Sequence, residues 1–257
     1  MDVERKDIAA LHHQHRETPY QANRTMQVLS KMFNMAEIWG MRPDGSNPCR
    51  HVPKYREMKR ERYLSQHELK RLGAVLAEAE RDGSESVHVV AAFRLLILTG
   101  CRLRELQTLQ WGFITDAGME LPDTKTGARR IPLPAAARAV LSTLPRTPGN
   151  PFVIEGKLDG SHITDLQHPW QRIRARAGLD DVRIHDLRHT YASNAVSSGM
   201  PIQMVGRLLG HTQIQTTMRY AHLADDPVIR AAEENAERLN ALVGGAAKLA
   251  HGLRIVS

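Results

Sequence analysis

Apolar positions along the chain recur mostly at helical spacing. Met26, Leu29, Met32, Phe33, Ala36 and Trp39 form one stripe, which predicts an amphipathic helix over 22–39 that Gly40 stops. The run Met41-Arg42-Pro43-Asp44-Gly45-Ser46-Asn47-Pro48 is turn chemistry and closes that unit. A basic connector follows, in which Lys54, Arg56, Lys59, Arg60 and Arg62 outweigh Glu57 and Glu61. Ser65 and Glu68 then make a capping box that opens a helix towards Ala79. From Ser86 to Thr99 the chain is apolar nearly all round except at His88 and Arg94, as expected of a helix central to a core, and Gly100 ends it. A short helix is predicted from Leu103 to Leu109.

Between Trp111 and Pro134 the pattern changes. Ile114, Met119, Leu121, Ile131 and Leu133 are separated by turn residues, notably Thr124-Lys125-Thr126-Gly127, which predicts a small antiparallel sheet. Helical periodicity then returns over 134–143, 164–177, 185–198, 201–209, 213–219 and 227–242. The expected fold class is mainly α with a small antiparallel β-sheet (α+β). The expected division is 1–60, helical and ending in the basic linker; 61–245, the larger domain; and a small-residue tail over 246–257.

Composition adds little until the chemistry is read. The 257 residues carry a formal charge of +7, which draws a protein towards polyanions without proving that it binds one. Cys49 and Cys101 make neither a disulfide framework nor a zinc pair. The charged start lacks the apolar stretch of a signal peptide, and the apolar run from Val87 to Leu98 is too short to cross a bilayer, which takes about 20 residues. A reducing, bacterial-type cytoplasm, or any compartment holding DNA, is what these features suit.

Four segments carry candidate chemistry: Thr99-Gly100-Cys101-Arg102-Leu103-Arg104-Glu105; Thr124-Lys125-Thr126-Gly127; His185-Asp186-Leu187-Arg188-His189; and Leu208-Leu209-Gly210-His211 with Met218-Arg219-Tyr220-Ala221-His222. His185 and Arg188 are three apart at a helix start and share a face, while Leu187, Tyr191 and Ala195 take another stripe. An imidazole and a guanidinium beside free backbone N–H groups suit a phosphate; a surface helix with solvated charges fits those residues equally well. His185 and His189 have metal-pair spacing, but neither an adjacent glutamate nor a third ligand accompanies them. Arg102 can present a planar fork to a phosphate with Glu105 orienting it, or make an ordinary helix-start ion pair. Lys125 in a turn and Tyr220 in a short helix, its hydroxyl open to solvent, mean little singly.

Taken together and in this order, Arg, Lys, His-x-x-Arg, Gly-His and Tyr resemble the tyrosine recombinase family, also called phage integrases, from Arg62 to about Pro227. The resemblance implies a catalytic fold preceded by a short or truncated helical core-binding domain. It implies that Arg102, Lys125, His185, Arg188, His211 and Tyr220 form the active site, with Glu105 and His189 in support. Two guanidiniums suit the charge that gathers on a phosphodiester under attack, so neither metal nor other cofactor is called for. Ionising a tyrosine at pH 7 costs about 4 kcal/mol, which nearby cations or a base can offset. Because a phenolate is a good leaving group, the covalent bond is reversible and ATP is unnecessary. The resemblance further implies a 3′-phosphotyrosyl link, Lys125 as general acid, His185 handling the proton near Tyr220, and His211 donating to the phosphate.

Residues 1–60 resemble part of a core-binding domain with its first helices missing or reduced, as in a truncated integrase. Lys54, Arg56, Lys59, Arg60 and Arg62 would then cross the phosphates of double-stranded DNA. The last helix, with Ile229, Ala232, Ala236, Leu239 and Val243 at helical spacing, would dock on a neighbouring protomer or on its own domain. The first choice implies a homotetramer on paired DNA sites, with or without accessory DNA-bending proteins, in the bacterial nucleoid. Rival readings are a type IB topoisomerase, disfavoured by the compact His-x-x-Arg and Leu-Gly-His pattern; a catalytically idle DNA-binding protein, disfavoured by the intact residue set; and a helical scaffold with no DNA role.

Overall fold

The computed structural model describes residues 3–58, 61–122, 127–223 and 227–242, the last segment with side chains from Ala232 onward. The chain divides into two compact units, Met1–Glu61 and Arg62–Ser257.

The first unit is a helical hairpin. Helix α1 spans Arg5–Gln14 and α2 spans Pro19–Ile38. Periodicity alone misses α1, because its buried face holds Ile8 together with a histidine, His12. A reciprocal Glu4–Asp7 capping box marks its start, and Pro19 opens α2 three residues ahead of the expected boundary. Ile8, Met26 and Cys49 form a small core with Leu29, Phe33 and Val52 against it. Met32 and Trp39, which share the apolar stripe in sequence, are exposed instead, since α1 and the segment after α2 cover only the Ala22–Met26 side.

A buried polar network fastens the connector to this hairpin. His12 stacks on Tyr55 with ring centroids 4.2 Å apart and meets Asn23 Oδ1 at 3.2 Å. Asn23 in turn accepts from the Tyr55 N–H at 3.0 Å and donates to the Tyr55 carbonyl at 2.8 Å and to Glu57 at 2.9 Å. Tyr55 therefore faces inward, and Lys54 and Arg56 on either side of it are exposed. Lys59 and Arg60 lie outside the described residues.

In the second unit, α3 (Gln66–Asp82), α4 (Val87–Thr99), α5 (Leu103–Gln107), β1 (Ile114–Thr115), β2 (Gly118–Leu121), β3 (Arg129–Ile131) and α6 (Ala135–Ser142) are followed by α7 (Gln167–Arg176), α8 (Ile184–Ser197), α9 (Ile202–Leu209), α10 (Gln215–Met218) and α11 (Pro227–Leu242). The fold is mainly helical with one small antiparallel sheet, as the pattern predicts. Helix α4, buried along most of its length, packs on α3, α5, α6 and α8, so one apolar element fixes four others. Truncating a leucine such as Leu95, fully buried there, would cost roughly 2–5 kcal/mol.

The sheet has order β1-β2-β3, with Met119 opposite Ile131 and Leu121 opposite Arg129. Met119, Leu121 and Ile131 point into the core. Gly118 has φ +137°, and a Cβ there would collide with the Ile131 carbonyl oxygen, so only glycine admits the close pairing. A second core cluster joins Ala192 and Val196 of α8, Val205 and Leu209 of α9, and Tyr220. The described helices include none long and apolar enough to cross a membrane.

Candidate active site

The site is assembled around the last turn of α9. That helix ends at Leu209 with Gly210 in the left-handed region, leaving carbonyls at its electronegative end without intrahelical partners. Arg188, from the second turn of α8, donates Nη2 to the Leu209 carbonyl at 2.5 Å and Nη1 to the Gly100 carbonyl at 2.6 Å. Arg102 donates Nη2 to the Gly210 carbonyl at 3.3 Å and Nη1 to Glu105 at 2.7 Å. The same glutamate accepts from the Arg102 backbone N–H at 2.8 Å, so the α5 capping box orients the guanidinium. Gly100, at φ +61°, lets α4 stop where its carbonyl can face Arg188; a Cβ would lie 2.5 Å from Tyr191 Cδ1.

Arg188 is 4% exposed, and burial, with Arg102 and Arg129 close by, pulls its pKa down to about 10, which still leaves it charged at neutral pH. The alternative of a surface helix with solvated charges therefore does not hold at Arg188. The Arg102 side chain is 28% exposed and remains reachable from solvent.

His211 follows the αL residue of α9 and holds Thr217 Oγ1 through Nδ1 at 2.8 Å, leaving its other ring nitrogen available. Burial first, then Arg188 and Arg102, lowers its pKa to about 4. His189 contacts the Tyr220 hydroxyl through Nδ1, and its ring meets His185 edge-on at 4.8 Å. Its pKa also falls to about 4, through burial and the neighbouring His185, while that of His185 is lowered by partial desolvation and Arg188. All three imidazoles are thus neutral at pH 7.

Two sequence expectations change here. Tyr220 is 4% exposed within the second core cluster, because the turn after α10 packs its ring against α8 and α9. The imidazole in contact with its hydroxyl is His189, with His185 one ring further away. Spacing could have suggested this, since His189 follows His185 by one helical turn.

Lys125 lies outside the described residues. Arg62 belongs to the second unit, where it binds Glu68 at 2.6 Å, Asp181 at 2.7 Å and the Tyr63 carbonyl at 2.8 Å. Those carboxylates raise its pKa and fix it as an internal ion-pair centre, unlike exposed Lys54 and Arg56. Among the described residues, no group of three or more His, Cys, Asp and Glu side chains is placed to hold a metal ion.

One participant escapes the sequence reading. Arg129, the first residue of β3, donates Nη1 to the same Leu209 carbonyl that Arg188 uses and places Nη2 3.6 Å from Glu105. It sits between the partners of the other two arginines. Its signal in sequence is weak: half of an Arg-Arg pair in a short strand, with its hydrogen-bond partner 80 positions away.

Residues 62–226 match the phage integrase family. That span is well over half the chain, and the protein belongs to this family of tyrosine recombinases. Relatives include the shufflon-specific DNA recombinase of Escherichia coli, 27% identical over 204 residues that cover 77% of this chain and 50% of that protein. The integrase of Escherichia phage 186 is 28% identical over 202 residues, 77% of this chain and 54% of its own. Tyrosine recombinase XerC of Staphylococcus epidermidis is 27% identical over 181 residues, 65% of this chain and 60% of its own. The chain thus spans about half to three-fifths of the length of these relatives.

Solved structures share the fold. A lambda integrase dimer bound to a COC′ core site superposes with TM-score 0.69 at 20% identity, covering 85% of this chain and 64% of that one. The Tn1549 transposon integrase in complex with circular intermediate DNA gives 0.66 at 18% identity, covering 90% and 85%.

Proposed function

We propose that this chain is a site-specific DNA recombinase that breaks and rejoins strands through a covalent link between Tyr220 and a 3′-phosphate, without metal or ATP. The observation that carries the reading is convergence. Arg102, which caps α5, and Arg188, from α8, are bound to carbonyls of the adjacent residues Gly210 and Leu209, next to His211, and Tyr220 is held by His189 on the helix that supplies Arg188.

In such a reaction the Tyr220 oxygen attacks phosphorus, the bond to the 5′ oxygen breaks, and negative charge rises on the two non-bridging oxygens. Arg102, still open to solvent, and Arg188 behind it face that charge, already held in place by protein carbonyls, so little reorganisation is needed. His211 donates to a non-bridging oxygen through the nitrogen that Thr217 leaves available. His189, neutral at pH 7, takes the phenol proton. A phosphate anion nearby favours the imidazolium, so substrate binding itself strengthens this base. His185, edge-on to His189, supports that proton transfer, and Lys125 protonates the departing 5′ oxygen.

Double-stranded DNA is the substrate, and the exposed Lys54 and Arg56 supply sequence-independent contacts to its phosphates. The exposure of α11 supports assembly on paired sites as a homotetramer. Its described side chains from Ala232 to Leu242 are all exposed, Leu239 and Leu242 included, which favours docking on a neighbour over packing on its own domain. A tetramer on a Holliday junction is known for lambda integrase. The bacterial cytoplasm and its nucleoid are the proposed location.

The test is a nicked suicide duplex drawn from DNA flanking the gene. The unaltered protein is expected to leave a species that survives denaturing electrophoresis, joined to the 3′ side of the break, and Tyr220→Phe to bind the duplex without forming it. A normal yield of adduct from Tyr220→Phe would overturn the assignment.

A further inference from the structure

We infer that Arg129 is a third arginine of the phosphate site, a positioning residue that sets the spacing of Arg102 and Arg188 and completes the charge they present. The inference rests on the recombinase reading above.

Its side chain is nine-tenths buried, although β3 lies in a short sheet with solvent close at hand. Burying a guanidinium is costly unless its surroundings compensate, and here compensation is partial. Nη1 is satisfied by the Leu209 carbonyl, whereas Nε and Nη2 are buried and have no hydrogen-bond partner among the described residues. Nη2 has only the Glu105 carboxylate, at 3.6 Å. Desolvation accordingly lowers the pKa of this arginine.

The two groups it reaches are the anchors of the other arginines. Leu209 holds Arg188, and Glu105 holds Arg102. The backbone also makes room for it, since a Cβ on Gly210 would run into Arg129 Nη1 and lie 2.8 Å from Cζ. The glycine of the Leu-Gly-His motif therefore serves the arginine as well as the helix end. The three guanidiniums and Glu105 together contribute two positive charges to the site. A phosphodiester gains negative charge on attack, so their attraction for it strengthens as the reaction proceeds. Arg129 touches no reacting atom itself; its buried nitrogens act through the other two arginines.

The decisive measurement is single-turnover cleavage by Arg129→Met and Arg129→Lys on two nicked duplexes, one with an ordinary scissile phosphodiester and one with a methylphosphonate there. The methylphosphonate lacks one charge, so losing a cation should matter less on it. Arg129→Met is expected to lose about 100-fold on the phosphodiester and under about 5-fold on the methylphosphonate. Arg129→Lys is expected to keep at least a tenth of the unaltered rate and the unaltered ratio between substrates. Equal loss on both substrates, or no loss, would overturn the inference while leaving Tyr220 untouched. Should Arg129→Met fail to fold, Arg129→Lys still decides, because a shifted substrate ratio would deny the charge role. If the unaltered protein forms no covalent adduct, the recombinase reading falls and this inference with it.

Discussion

Two sets of cations in this molecule differ in kind. Arg102, Arg129 and Arg188 are each bound to carbonyl oxygens or Glu105 before any substrate arrives. Lys54 and Arg56 are exposed on a segment whose alternate residue, Tyr55, is clamped to the hairpin. Catalysis and affinity make different demands. Stabilising a fleeting charge requires groups already aimed at it, at the cost of burial, whereas attraction to a polyanion needs only charge near the surface. Arg62 shows that sequence position does not decide the kind, since it belongs to the basic connector in sequence and to an ion-pair network in structure.

The largest effect should come from the most deeply fixed cation. Arg188→Ala is expected to slow covalent cleavage by at least about a thousandfold while DNA binding at moderate salt changes only a few-fold. Arg188→Lys keeps a charge but cannot span the Gly100 and Leu209 carbonyls, so its rate should fall between the two. A loss of binding that matches the loss of cleavage would erase the distinction between the two kinds of cation.

A smaller effect concerns the imidazoles around those cations. His189 and His211 have pKa values lowered to about 4 in the folded chain, against 6.5 for an ordinary histidine. Between those values the unfolded chain binds more protons, so stability is complete above pH 6.5 and lost as pH falls towards 4. Thermal unfolding across that range should show a falling Tm in the DNA-free protein. His189→Gln and His211→Gln should each flatten the fall, whereas Lys54→Ala should leave it unchanged. An unaltered slope in both histidine variants would mean that burial in this site does not depress them.

Much of this was legible in sequence because several motif residues sit where a backbone feature requires them. Gly100 and Gly210 end helices, Arg102 starts one, and His185 and Arg188 share the first turns of α8. The capping box at Ser65 and the apolar run of α4 likewise announced themselves locally. What stayed hidden depended on distant or polar partners. Helix α1 buries a histidine against Asn23 and Tyr55, which no apolar period reveals. The Tyr220 ring reads as surface from its polar neighbours, yet α8 and α9 enclose it. Arg129 gains its place only when β3 meets the end of α9.

The smallest predicted effect tests the exposed cations. For each DNA phosphate that a side chain no longer neutralises, the slope of log affinity against log salt should shrink in magnitude by about one. Lys54→Ala and Arg56→Ala should therefore each flatten it by that amount or less. Because these side chains are solvated, neither change opens a cavity or strands a partner, and Tm should move little. At saturating DNA the single-turnover cleavage rate should stay within about twofold of the unaltered chain, since no orienting interaction has been removed. A Lys54→Ala protein that bound normally yet cleaved tenfold more slowly would place this residue among the orienting cations, and burial before substrate arrives would no longer be what separates the two kinds.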